Sequence, residues 1–200
     1  MAGILDLLNS DMGRQLVSGM SNQLGQDQSK TANALTSALP LILGAMNKNA
    51  SSESGAAGLL SALSSKHDGG IFDQIGDIFG NSSKAEEVMQ DGDGILGHIF
   101  GDKKENVANA IGQSTGLDMG SAAKMLKMAA PFIMGYLGKQ TRQNNVSNPS
   151  DISSLLGGMM NQHDAKEQSI IEKFLDSDGD GSIVDDVASI GMKFLGGMFK

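Results

Sequence analysis

Ala38-Leu39-Pro40-Leu41-Ile42-Leu43-Gly44-Ala45-Met46 has a counterpart later in the chain, Ala129-Ala130-Pro131-Phe132-Ile133-Met134-Gly135-Tyr136-Leu137. An offset of 91 lays Asp27 to Met46 on Asp118 to Leu137 without a gap. Asp27, Ala32, Leu35, Ala38, Pro40, Ile42 and Gly44 each meet an identical residue. The match resumes at offset 96, where Leu59-Leu60 falls on Leu155-Leu156 and His67-Asp68 on His163-Asp164. Two order-preserving matches separated by an insertion point to a duplicated unit. Ala34, Leu35, Ala38, Leu39, Ile42 and Met46 recur every three or four residues, the stripe of a buried helix face. Pro40 and Pro131 lie inside such stripes, which predicts a kink or a break at each.

Helical spacing continues on both sides of these stretches. Ile4 to Leu8 is a short apolar start, and Leu16, Met20 and Leu24 mark a helix ending near Gly25. Asp27 is expected to cap the next helix with its carboxylate. Asn47 to Gly55 reads as a polar loop, followed by a helix with Leu59, Leu60 and Leu63 that ends at Lys66-His67-Asp68-Gly69-Gly70. Phe72, Ile75 and Phe79 suggest two further turns, and Ser83 to Glu86 a capping box opening a short helix. Asp91 to Gly101 is read as a junction. The second unit has a helix around Asn106 to Gln113, a long one from Asp118 to Tyr136, a polar loop from Gln140 to Pro149, and a helix with Leu155, Leu156 and Met159. Gly135 and Gly138 would permit close backbone approach. Strand patterns are nearly missing. The expected fold class is all-α: a first helical repeat with junction at 1–100, a second at 101–164, and a helix-loop-helix tail at 165–200.

Composition narrows the function. The 200 residues carry a net charge of −8, 40% hydrophobic and 4% aromatic residues, 27 Gly, 13 Met and no Cys. Lack of Cys removes disulfides and thiolate chemistry and fits a reducing compartment. The start, Met1 to Asp6, lacks the basic region of a signal peptide, and no long uncharged apolar run is present, so a soluble cytoplasmic protein is expected. Residues 1–102 carry 12 acids and 5 bases, whereas 103–143 carry 2 acids and 6 bases. An acidic chain is a poor nucleic-acid binder. The basic stretch is either a solvated face or a surface for an acidic protein partner, for nucleic acid, or for the acidic part of a second copy.

One stretch has ion chemistry. Asp176, Asp178 and Asp180 alternate and are followed by Gly181, as in the first half of an EF-hand loop. The spacing turns three carboxylates inward, Gly181 permits the bend, and the Ser182 backbone carbonyl would be a fourth oxygen ligand for Ca²⁺. The second half departs: Val184 and Val187 occupy the ninth and twelfth positions, so Asp185 or Asp186 must close a shortened loop. The bland alternative is an Asp-rich cap for the last helix. That helix, with Val187, Ile190, Phe194 and Met198 on one face, is expected to pack on the core; a membrane surface or partner groove is the alternative.

Catalytic patterns are weak. Gly92, Gly94 and Gly97 spell G-x-G-x-x-G, but no strand pattern precedes them. His67 and His163 hold equivalent positions at helix ends, where capping is the economical role; a symmetric metal or acid/base site on the His-Asp pairs is the alternative. No hydrolase, zinc-protease or P-loop motif occurs, and a non-enzymatic protein is expected.

The Ala-Pro-x-Ile-Met-Gly-x-Leu-Gly run ending at Gly138, with Asp91-Gly92-Asp93-Gly94-Ile95-Leu96-Gly97-His98-Ile99-Phe100-Gly101, resembles the bacterial "domain of unknown function 937" family and its YidB-like relatives. The Asp176 to Asp186 tail looks like the ending of many members. The resemblance implies a bacterial, helical, duplicated domain and carries no functional residues across.

Overall fold

The structure is a computed structural model that describes residues 4–160. The Asp176–Asp186 loop, His163, Asp164 and the final amphipathic stretch lie outside the described residues. The chain runs through α1 (Ile4–Asn9), α2 (Asp11–Leu24), α3 (Gln28–Asn49) and α4 (Glu53–Ser65), then a 3₁₀ turn (Gly70–Gln74). It continues with α5 (Ile75–Gly80), α6 (Ser82–Phe100), a second 3₁₀ turn (Gly101–Lys103), α7 (Lys104–Thr115), α8 (Met119–Gln143) and α9 (Pro149–Met160). No strand occurs among the described residues, and the fold is all-α. No helix among them is long and apolar enough to cross a membrane.

The two Ala-Pro stretches lie in the two central helices. Leu41 to Met46 of α3 and Met128 to Gly138 of α8 are buried without interruption, so these turns are covered on every side rather than along one stripe. The break expected at Pro40 and Pro131 does not occur: each proline sits inside a continuous helix. Proline in a helix interior costs about 3 kcal/mol. Leu35, Leu39, Leu41, Ile42, Leu43 and Met46 are all at most 5% exposed, and each buried side chain of this size contributes about 1.5–3 kcal/mol. Burial therefore outweighs the lost hydrogen bond.

Helix ends follow local chemistry. Ser10 and Ser52 cap α2 and α4, their hydroxyls accepting from the Gly13 and Gly55 N–H groups at 3.1 Å. Gly25 and Gly116, at equivalent positions just ahead of the two matching stretches, end α2 and α7 in the left-handed conformation (φ 62° and 73°). Asp27 precedes α3 as expected but makes no side-chain capping bond; nothing in the structure explains why. Its counterpart Asp118 caps α8, accepting from the Ser121 N–H at 2.9 Å.

Three further expectations are corrected. The polar loop at Asn47 to Gly55 shrinks to residues 50–52, because α3 continues to Asn49, where the Asn49 amide donates to the His98 carbonyl at 3.0 Å. Likewise α8 runs through Gln143, so the loop before α9 is short. The junction at Asp91 to Gly101 is chiefly helix: α6 opens on Asn81, whose side chain accepts from the Ser83 N–H, and runs through Asp91-Gly92-Asp93-Gly94 to Phe100. Gly lowers helix stability by about 1 kcal/mol, but here α6 crosses α8 at Gly92. A Cβ on Gly92 would fall 1.7 Å from the Lys127 carbonyl oxygen, so only glycine lets the two backbones meet. The tertiary contact overrides the turn-like composition.

The buried apolar side chains form one cluster with members from α2 through α9. α2 packs on both α3 and α8, α7 on both α8 and α3, α4 on α8, α9 on α3, and α4 and α9 on each other.

Candidate functional site: a polar cleft at the end of α4

After Ser65 the chain leaves α4 through Lys66, and the Lys66 and His67 N–H groups both donate to the Ala62 carbonyl. Gly69 then takes φ +102°, reversing the chain into the 3₁₀ turn. This turn rests on α8 at the glycines expected to allow close approach. A Cβ on Gly138 would sit 1.8 Å from the His67 carbonyl oxygen, and one on Gly135 would sit 2.7 Å from Ile71. Asp68 fastens the turn: one carboxylate oxygen accepts the Gly70 N–H at 3.0 Å and the other pairs with Arg142 of α8 at 3.0 Å. The Gly70 hydrogen bond, joined by the Arg142 charge, lowers the Asp68 carboxyl below its ordinary range.

Seating the turn on α8 aims His67 at α6. Its imidazole is only 8% exposed, and Nε2 lies 3.7 Å from an Asp91 carboxylate oxygen. Lys66 binds the other oxygen of Asp91. Burial pushes the His67 pKa below its ordinary value, opposed by the Asp91 charge and aided by Lys66. The imidazole is therefore neutral at neutral pH. A cleft of about 310 Å³ opens beside it, walled by Gln74 and Ile78 on one side and Glu87, Val88 and Asp91 of α6 on the other. His67 thus faces a carboxylate from a segment that reads as a linker, instead of capping α4 with its ring. Its capping group is the backbone N–H. The sequence offered one clue to this partnership: Glu87 and Asp91 stand four apart, on one face of a helix.

Several other charged residues also pair within the chain. Asp93 of α6 binds Lys104 at 2.9 Å and Lys127 at 3.1 Å. Hydrogen bonds from Lys104, then Lys127, hold its carboxyl below the usual range. With Arg142 on Asp68, three cations of the basic 103–143 stretch meet acids from the first 102 residues of the same chain. His98 lies along α6, with Nδ1 3.0 Å from the Gly94 carbonyl. Gly92, Gly94 and Gly97 are interior to that helix, so no strand precedes the G-x-G-x-x-G pattern. No three His, Asp or Glu side chains converge as a metal set among the described residues.

Neither curated proteins nor solved structures provide a match for the chain. A family does: residues 6–140, from α1 almost to the end of α8, match the one described as "Bacterial protein of unknown function (DUF937)". The match covers both Ala-Pro helices and the His67 cleft and stops before the Asp-rich tail, and the chain belongs to this DUF937 family.

Proposed function

We propose that the chain is a non-catalytic helical scaffold, built by duplication of a three-helix unit, whose C-terminal loop binds one structural Ca²⁺. The observation that carries the ion site is the alternation of Asp176, Asp178 and Asp180 ahead of Gly181. Ca²⁺ takes six to eight oxygen ligands. Three carboxylates, the Ser182 carbonyl and either Asp185 or Asp186 supply most of them, and water completes the shell. Bound there, the ion joins the apolar segment before the loop (Ile170, Ile171, Phe174) to the one after it (Val187, Ile190, Phe194).

The duplication is supported by the packing. The units are α2–α3–α4 and α7–α8–α9. Their counterparts include Gly25 and Gly116 at the ends of α2 and α7, and Pro40 and Pro131 inside the long helices. Contacts exchange in pairs: α2 on α8 with α7 on α3, and α4 on α8 with α9 on α3. A scaffold role also accounts for the basic stretch, whose Lys104, Lys127 and Arg142 fasten one half of the chain to the other.

Calorimetric titration of Ca²⁺ and Mg²⁺ into metal-stripped protein tests the ion site. The expected result is saturable one-site Ca²⁺ binding, abolished in Asp176→Ala/Asp180→Ala, with a thermal midpoint that rises with Ca²⁺ in the wild type alone. Absence of heat and of stabilisation would reduce the loop to a helix cap. Binding that newly exposes apolar surface would replace the structural role with a switch.

A further inference from the structure

The His67 cleft contains more polar groups than its internal pairs use. Lys84 is committed to Asp77 at 3.0 Å, Lys66 to one oxygen of Asp91, and Asp68 to Gly70 and Arg142. Three groups remain. The His67 side chain, more than nine-tenths buried, makes no direct hydrogen bond among the described residues; its nearest charged neighbour is the second Asp91 oxygen at 3.7 Å. Glu87, one turn before Asp91 on α6, has no ion-pair partner among the described residues. Gln74 stands opposite them, also without a partner there. Neutral His67 offers one acceptor nitrogen beside its N–H, and Gln74 one acceptor oxygen beside its N–H₂. With Glu87 and the second Asp91 oxygen, acceptors and negative charge predominate, while the cations of the cleft are already paired.

Such a set calls for a ligand that brings donors and positive charge. Ile71, Ile78 and Val88 add apolar wall to the same cleft, so the ligand also carries an alkyl portion. The 310 Å³ volume lies at the lower end of small-molecule sites, about 300–1,000 Å³. A bare metal ion is disfavoured because no three ligating side chains converge among the described residues. A buried polar group without a direct partner is costly, and a ligand N–H reaching His67 would satisfy it. We propose that the cleft between the α4–α5 turn and α6 binds a small primary alkylammonium compound, its N–H donors shared among His67, Glu87 and Asp91 and its alkyl chain lying on Ile78 and Val88.

The probe is n-butylammonium, titrated into the full chain while the His67 ring resonances are followed by NMR, with tetramethylammonium and Zn²⁺ as separate arms. The expected result is saturable movement of the His67 signals by n-butylammonium and not by tetramethylammonium, which has no N–H donor. Glu87→Gln, an exposed change, weakens binding by at least about tenfold, the scale of a lost charge-assisted hydrogen bond. Glu86→Gln, outside the cleft, and Asp176→Ala/Asp180→Ala leave it unchanged. The inference fails if n-butylammonium gives no saturable response, or if Glu87→Gln binds like wild type. It fails equally if the tail variant abolishes binding, or if His67 responds to Zn²⁺ and not to the amine.

Discussion

Replacing Gly92 by alanine tests the contact on which the placement of α6 depends. The new Cβ would lie 1.7 Å from the Lys127 carbonyl oxygen and 2.7 Å from its carbonyl carbon, both backbone atoms of α8. Carbon–oxygen contacts settle at about 3.3–3.6 Å, so the helices must part by roughly 1.5–2 Å at this point. A radial gap of only 0.5–1 Å already forfeits about a quarter to a half of a dispersion contact. Leu96, one turn along α6 and 2% exposed, takes much of that loss. Overpacking of this kind costs about 1–3 kcal/mol and sometimes more, while alanine's helix propensity returns nearly 1 kcal/mol. The clash is with backbone atoms that cannot rotate away, which places the cost at the upper end of that range, and the expected net loss is about 2 kcal/mol. Gly94, on the same helix with nothing within 4 Å of a built Cβ, is the control. There alanine gains propensity alone, up to about 1 kcal/mol. Urea unfolding at neutral pH, followed by far-UV circular dichroism, therefore gives opposite signs for the two variants. At about 2–4 °C per kcal/mol for a chain of this size, thermal midpoints separate by roughly 6–12 °C. If Gly92→Ala proved as stable as Gly94→Ala, α6 would not cross α8 at Gly92, and the position of Asp91 beside His67 would lose its basis.

The two equivalent cap positions should also differ: Asp118→Ala loses the Ser121 hydrogen bond and costs about 1 kcal/mol, while Asp27→Ala, with no such bond, stays within about 0.5 kcal/mol. Chemical unfolding of both variants measures this, and equal losses would place a capping bond at Asp27 as well. His67 predicts a pH dependence. Its folded pKa lies below the ordinary 6.5, so the unfolded chain takes up the proton first and stability falls as pH drops through 6.5, levelling off below the folded value. His67→Gln should remove that slope between pH 6.5 and the range where carboxylates titrate, and an unchanged slope would assign it to another group.

The helices were legible where a single face is buried at a spacing of three and four, as in α2, α4 and α9. The long helices were located but shortened, because Asn47 to Asn49 and Gln140 to Gln143 look like loop composition; what keeps them helical includes the distant Asn49 bond to His98. The shortening of α6, expected to stop before Asp91, had a sharper cause. Asp91-Gly92-Asp93-Gly94 is what a turn looks like locally, and its helical state is supported from outside the segment, by α8, Lys66, His67, Lys104 and Lys127. The cleft inherited that blindness. His67 and Asp68 stood out as a repeated pair, but their partners Asp91 and Arg142 come from a presumed junction and from the end of a helix expected to be shorter. The backbone notch at Gly135 and Gly138 was legible, because a small residue on a buried face has few other uses.

The charge asymmetry of the sequence follows from the same packing. A basic stretch beside an acidic half invites an external partner, yet Lys104, Lys127 and Arg142 find their acids within the chain, on α6 and the α4–α5 turn. Ion pairs this exposed contribute about 0–1 kcal/mol each, too little to drive the halves together; the continuous apolar cluster does that. What the pairs add is register. Asp93 is placed where α6 meets both α7 and α8, and Asp68 where the turn meets the end of α8. Like-charge residues at either place would disfavour this arrangement over others that bury similar area. Under the proposed duplication, α5 and α6 form the insert between the units, and Asp93 on that insert is bound from both α7 and α8. The insert is thus the element that specifies how the units meet. It also supplies Glu87 and Asp91, so the cleft beside His67 exists because the insert is there.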